Sequence, residues 1–466
     1  MTGLLVRGAT LLDGRTVDVR VRGEVVVETG ADLDRDGEEV LDGAGATLLP
    51  GLVDSHLHLF AIAAAQRSVP CGPPTVRNTA ELQEALASAP TGDDGWVRGT
   101  GYAETVAGHL DAAALDRLHP ERPVRVQHRS GALWVVNGAG ARRLGLATGT
   151  APGIERDDAG RPTGRLWRAD GWLRARLGPA DPPDLAAVGA RLLRYGITAV
   201  TDATPDLDPP TLAALAGARR DGRLPQRLHL LGAPHTAHAT DGAFTVGPEK
   251  IVLADSGLPD LDDLVEQIRG AHDVGRAVAV HVVTREALAL LLAALDRAGG
   301  RDGDRIEHAA LLPRDVVGDL ARRGLRVVTQ PGFLADRGED YLRDVPPAEH
   351  DDLYRCAGLL AAGVPVALSS DAPYGPLDPW QVIAAAVTRR TRTGAVVGPA
   401  ERLTPAAALA GYLGPPTDPG GPRRTVTPRG AADLVLLDGS PGDVLADPSA
   451  ERVRGVVVRG KVGWWR

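Results

Sequence analysis

The stretch Thr47–Phe60, TLLPGLVDSHLHLF, decides how the rest of the chain is read. An apolar run from Leu48 to Val53 leads straight into Asp54-Ser55-His56-Leu57-His58, the pattern of a buried strand whose end carries two imidazoles one residue apart. Alternate side chains of a strand share a face. His56 and His58 therefore point the same way with Cα atoms about 6.6 Å apart, which suits two ligands converging on one metal ion. With 12 His among 466 residues, chance gives roughly 0.3 H-x-H pairs per chain, so the pair gains meaning only from its place and from the residues downstream of it.

Before this stretch, LLVRGATLLDG and VDVRVRGEVVVETG alternate Val with Asp, Arg and Glu, the period of half-buried strands. ADLVLLDG (432–439) and VRGVVVRGKVGWW (453–465) repeat the style near the other end. The two ends are expected to meet in one small composite β-sandwich domain, residues 1–49 with 430–466.

After it, residues 50–429 alternate apolar strands with Ala/Leu/Arg-rich helices, the signature of a parallel sheet. Eight core strands are expected, around 48–55, 123–128, 196–202, 249–255, 277–283, 304–310, 325–331 and 364–371. Eight parallel strands favour an α/β fold of the (β/α)8 TIM-barrel type. Helices are expected over 261–275, 285–300, 313–324 and 353–363, several of them ending at Gly. The Pro, Gly and Asp-rich segment at about 66–122 is too long for a simple βα loop and reads as an insertion beside the barrel mouth. RLHLLGAPHTAHATDGAFTVG (227–247) adds an extra strand and an irregular loop, and His235 and His238 read as loop residues.

A formal charge of -8 and a pI near 5.9, without a basic cluster, argue against a nucleic-acid partner. No apolar run approaches a membrane span and no secretory signal is evident, so a cytoplasmic enzyme with a small-molecule substrate is the expectation. Assembly into a homo-oligomer is left open. Cys71 and Cys356 stand far apart and suggest neither a disulfide framework nor a thiolate zinc site. Of the 52 basic residues only Lys250 and Lys461 are lysine. A Lys that survives such an Arg bias invites a chemical reason.

Functional side chains of such barrels lie at the C-terminal strand ends. Those ends present His56 and His58 on the first strand, His281 on the fifth, His308 on the sixth and Asp371 on the eighth, with Lys250 near the start of the fourth. Four imidazoles and a carboxylate suit Zn2+, with Mn2+, Co2+ or Fe2+ as other occupants. Singly, each has a plainer reading: His281 as a satisfied buried histidine, His308 beside Glu307 as an ion pair, Asp371 as a helix cap. Tyr102, Trp134 and Gln330 are substrate-pocket candidates by position. Arg285 either meets an anionic substrate or is ion-paired.

The set LPGLVDSHLHL, EKIVLAD, VAVHVVTREAL, DRIEHA, VVTQPGFL, LSSDAP and GAADLVLLDGSP resembles the metal-dependent amidohydrolase superfamily over nearly the whole chain. The chain is most similar to the amidohydrolase-3 branch, which includes N-substituted formamide deformylases and relatives of D-aminoacylases. The resemblance implies a mononuclear or binuclear centre that hydrolyses a C–N bond. His56 and His58 would bind the more buried metal, His281 and His308 the more exposed one, and Asp371 would touch the first and act as general base and acid. Lys250, modified by CO2 to a carbamate, would bridge them, a role Arg cannot take.

Three places depart from the branch. Thr284-Arg285 stand where relatives have Gly-Asp, ADSGLP replaces an Asp-Gly after the Lys strand, and Gly131-Ala132-Leu133-Trp134 replaces a Gly-His before Asn137. A deaminase of the same superfamily would carry Glu three residues after the fifth-strand His, where this chain has Thr284. A non-catalytic scaffold would lack the ligands, all of which are here.

Overall fold

The computed structural model describes residues 3–90, 94–178, 182–238, 241–254 and 257–466. The chain forms two compact units, Met1–Leu59 with Asp184–Arg466, and Phe60–Pro183.

In the first unit both ends of the chain build one sheet of eight strands, Leu4–Thr10, Thr16–Arg22, Val25–Gly30, Glu39–Asp42 and Ala46–Pro50 with Leu434–Asp438, Val453–Val458 and Lys461–Trp465. Ala46–Pro50 runs antiparallel to Leu434–Asp438, with Leu434 opposite Pro50. One set of alternating residues, including Val19, Val21, Leu48, Leu434 and Leu436, is buried in a shared core. The period-two pattern is thus the mark of a face turned inward.

The quoted stretch is not one strand but two. Gly51 ends the terminal sheet, its N–H donating to Asp433 O at 2.8 Å, and Leu52 N–H donates instead to Gly196 O at 2.8 Å. A Cβ on Gly51 would lie 2.1 Å from Thr198 Cγ2, so only glycine lets the chain change sheets there.

Eight parallel strands follow: β1 (Leu52–Leu57), β2 (Ile197–Asp202), β3 (Arg227–Leu230), β4 (Glu249–Val252), β5 (Val278–Val282), β6 (Arg305–His308), β7 (Arg326–Thr329) and β8 (Val366–Leu368). β1, β2 and β3 pair in one parallel sheet, with Thr245–Val246 beside β3, and β4 to β8 pair in order in another. Asp371 N–H donates to His56 O and His58 N–H to Ala372 O, both at 2.9 Å, joining the ends of β8 and β1. β4 ends at Val252, and residues 255 and 256 of the expected strand and its ADSGLP sequel lie outside the described residues.

Two expectations need correction. Residues 123–128 are not a strand of the parallel set: Val124–His128 pairs with Val97–Tyr102 and Leu133–Val136 in the other unit. The strand beside β2 is β3, from the 227–247 segment, with Thr201 opposite His229. Both runs have the alternation of a strand, and only the pairing partner distinguishes them. The helices Leu261–Asp273 and Arg285–Ala298 start on the caps Asp260 and Thr284, which accept from Asp262 N–H and Ala287 N–H, and Gly275 and Gly299 follow at positive φ. Over 313–324 the chain forms a 3-10 turn, Arg314–Val316, then the helix Val317–Arg322; over 353–363 only Ala357–Ala361 is helical.

The unit Phe60–Pro183 has its own six-stranded sheet and its own cores, so the excursion expected at 66–122 extends well past it. Its Cys71, like Cys356 of the first unit, is buried and free.

Candidate metal centre

The ends of β1 and β6 and the turn after β8 place three side chains together: one ligand atom each from His56, His308 and Asp371 all lie within 4.8 Å of one another. Asp371 Oδ1 is 3.4 Å from His56 Nε2 and 3.2 Å from His58 Nε2. The rings of His281 and His308 stand 4.4 Å apart between centroids, and those of His56 and His308 4.9 Å. His308 and Asp371 reach inward because the backbone turns into the left-handed region, with φ of 74° and 51°. For residues other than glycine this costs of order 1 to 3 kcal/mol each, the kind of strain retained at functional sites.

The imidazoles are held from behind. His56 Nδ1 bonds Glu307 Oε2, His58 Nδ1 lies 3.1 Å from Thr204 Oγ1, and His308 Nδ1 lies 2.8 Å from Gln330 Oε1. Gln330 Nε2 donates to Ser369 Oγ at 2.9 Å, which turns its oxygen towards His308 and makes Nδ1 the protonated ring nitrogen. In His56 and His308 the Nε2 lone pair is therefore the free one, the arrangement that metal-ligating imidazoles need.

Burial decides the charges. It pushes the His56 imidazole down to about 3, with the Lys250 charge acting in the same direction, and it lowers His281 and His308 as well. Burial would raise Glu307 and Asp371. The Arg305 charge and then His56 hold Glu307 below the usual carboxylate range, and the His58 hydrogen bond and the neighbouring imidazoles do so for Asp371. Asp54, which accepts from His56 N–H and Ser370 N–H at 3.2 Å each, is driven up to about 7 by burial. His56, His281 and His308 are therefore neutral imidazoles beside the ionised Glu307 and Asp371.

Lys250 lies lower in the fold than the other candidates: its partner on β5 is Ala279, two residues before His281. Its Nζ is buried without a hydrogen-bond partner, and burial lowers its pKa against the opposing charges of Glu307 and Asp371. Gln330, a substrate-pocket candidate by position, spends its amide on His308 and Ser369. Arg285 is ion-paired with Asp352 at 2.7 Å and Glu349 at 3.3 Å. Tyr102 and Trp134 were expected to meet substrate, yet both are buried in the cores of the other unit, Tyr102 Oη donating to Gly108 O at 2.7 Å and Trp134 Nε1 to Asp170 Oδ1 at 2.8 Å. Their aromatic rings are filling material there.

Glu307 and Thr204 were missed as functional candidates. The signal for Glu307 was its alternation with Arg305, which puts both on one face of β6. Thr204 follows a strand without any local cue.

A family model described as the amidohydrolase family, Amidohydro_3, matches residues 39–463. The chain belongs to this family. It is an amidohydrolase of the amidohydrolase-3 branch, a hydrolase acting on carbon–nitrogen bonds. The N-substituted formamide deformylase of Arthrobacter pascens is 27% identical over 510 aligned residues, covering 92% of each chain. The putative amidohydrolase YtcJ of Bacillus subtilis is 26% identical, covering 74% of each. Among solved structures, an uncharacterised metal-dependent hydrolase from Pyrococcus horikoshii superposes with a TM-score of 0.75 at 19% identity, covering 94% of this amidohydrolase and 98% of that chain. Among the described residues no helix is long and apolar enough to cross a membrane.

Proposed function

We propose that this amidohydrolase acts in the cytoplasm on a small linear amide, formamide or N-acyl compound. The site is a metal centre at the mouth of a (β/α)8 barrel closed by β1 to β8, with residues 1–49 and 430–466 as a composite β-sandwich domain. One observation carries the reading: His56 Nε2 and Asp371 Oδ1 face each other at 3.4 Å while Glu307 engages the other ring nitrogen. A lone pair and a carboxylate oxygen this close, with no proton to share, need a cation between them.

His56, His58 and Asp371 would hold one ion, and His281 and His308 a second. Lys250, carboxylated by CO2 on its orphaned Nζ, would join the two, and the N/O donor set suits Zn2+ with Mn2+, Co2+ or Fe2+ as substitutes. When bound, such an ion supplies a Lewis acid for the substrate carbonyl and a water whose pKa falls from about 15.7 to about 7. Asp371 accepts the proton of the attacking water and returns it to the leaving nitrogen, which departs poorly as an anion. Glu307, Thr204 and Gln330 keep the rings from turning as the charge moves. The deformylase relative supports the formamide class. Thr284 caps its helix rather than facing the centre, which leaves the deaminase alternative without its acid.

The test is metal per chain by elemental mass spectrometry on protein made with Zn2+ and bicarbonate, beside a Lys250→Ala variant, followed by a screen of N-formyl and N-acyl amines. Two equivalents in the parent and fewer in the variant, with turnover of one of these amines, is the expected result. Equal content in both rejects the bridging Lys250. No metal in either sinks the hydrolytic reading.

A further inference from the structure

Behind His56 stands Glu307, and behind Glu307 stands a second buried charge. Arg305 Nε donates to Glu307 Oε1 at 2.6 Å, while Glu307 Oε2 bonds His56 Nδ1. Arg305, Glu307 and His56 are 1%, 0% and 1% exposed. Arg305 and Glu307 sit two apart on β6, so the strand period brings guanidinium and carboxylate to one face.

The way Arg305 is used sets it apart from the structural arginines of the same unit. Arg389, equally buried, gives Nε to Val397 O at 2.6 Å, Nη1 to Tyr354 O at 3.0 Å and Nη2 to Leu353 O at 2.6 Å, tying three points of the chain together. Arg276 likewise bonds the carbonyls of Gly247, Leu231 and Pro248. Among the described residues Arg305 ties no backbone. Its Nη1 and Nη2 are buried without any partner, and Glu307 is its single anion among the described residues. Burying a guanidinium with two idle donor groups is costly, and fold stability alone would favour an apolar residue of similar volume.

We propose that Arg305 is a positioning residue of the metal centre: by pinning one oxygen of Glu307 it aims the other at His56 Nδ1 and so fixes the ring that presents Nε2 to the metal. The inference rests on the metal-centre reading of the proposed function. It assigns Arg305 no contact with substrate or ion.

The experiment is Zn2+ affinity, measured by competition with a chromophoric chelator, for the parent, Arg305→Gln, Glu307→Gln, the double variant and Arg305→Lys, each checked for folding by circular dichroism and urea denaturation. Loss of a group that orients a ligand weakens metal binding by about 10- to 100-fold. Each single variant is expected to fall in that range, the double variant to be no weaker than Glu307→Gln alone, and Arg305→Lys to recover part of the loss. If Arg305→Gln lowers the urea midpoint but leaves Zn2+ affinity unchanged, or if the two single effects multiply in the double variant, the proposal is overturned, because Arg305 then acts independently of Glu307. Should Arg305→Gln fail to fold, Arg305→Lys decides: parental affinity overturns the proposal and a partial loss upholds it, since a point charge on a shorter reach holds the same oxygen less firmly. A parent that takes up no Zn2+ sinks the metal-centre reading and this inference with it.

Discussion

His308 and Gln330 are locked to each other: His308 Nδ1 lies 2.8 Å from Gln330 Oε1, and both side chains are buried. The amide cannot turn without giving up its second bond, to Ser369. Replacing Gln330 by Leu frees the ring and leaves its N–H unpaired. We expect Gln330→Leu to weaken metal binding by about 10-fold or more while the protein still folds, as read by chelator competition and circular dichroism.

Asp371 is the carboxylate to which His56 and His58 both turn, at 3.4 Å and 3.2 Å. Asn in its place keeps the shape and removes the proton acceptor. Asp371→Asn is expected to lower kcat on an N-formyl amine by about 10²- to 10⁴-fold, with a much smaller change in KM. A kcat within the parental range would remove Asp371 from the proton path.

His229 tests how the interior tolerates acid. Burial, followed by the charges of Arg305 and Arg276, pushes its imidazole from 6.5 down to about 3. An unfolded chain takes up that proton near pH 6.5 and the folded one only near 3, so stability is complete above 6.5 and declines as the pH falls through this window. The decline is up to about 1.4 kcal/mol per pH unit for one such group. His229→Gln retains a side-chain partner for Thr245 and should flatten the decline, measured by urea denaturation between about pH 6.5 and 5.

Gly51 admits no side chain. Gly51→Ala forces a Cβ against Thr198 and is expected to destabilise the protein by about 1 to 3 kcal/mol, seen as a lower urea midpoint.

The residues proposed as ligands were legible because they obey short-range rules. His56 and His58 share a strand face by period two, and His281 lies near the end of an apolar run, Ala277–Val283, that reads as a strand by itself. What was not legible depended on contacts between distant segments. Val124–His128 and Arg227–Leu230 look equally strand-like, and nothing local tells which pairs with β2. Tyr102 and Trp134 carry polar tips that suit a pocket as well as a core, and only Gly108 and Asp170 show which it is. The bond between Gln330 and His308 was not legible either, because the two lie 22 residues apart at the ends of different strands.

The junction at Gly51 also bears on the order in which the protein is made. Ala46–Pro50 leaves the ribosome well before the strand that lies against it, Leu434–Asp438, which is translated after all the residues proposed as metal ligands. Until then one edge of the segment leading into His56 and His58 is open, and Gly51 N–H lacks the Asp433 carbonyl it will bond. A nascent chain thus carries every proposed ligand before it can anchor the first two, so chains stalled short of residue 434 should emerge metal-poor although none of these residues is missing from them.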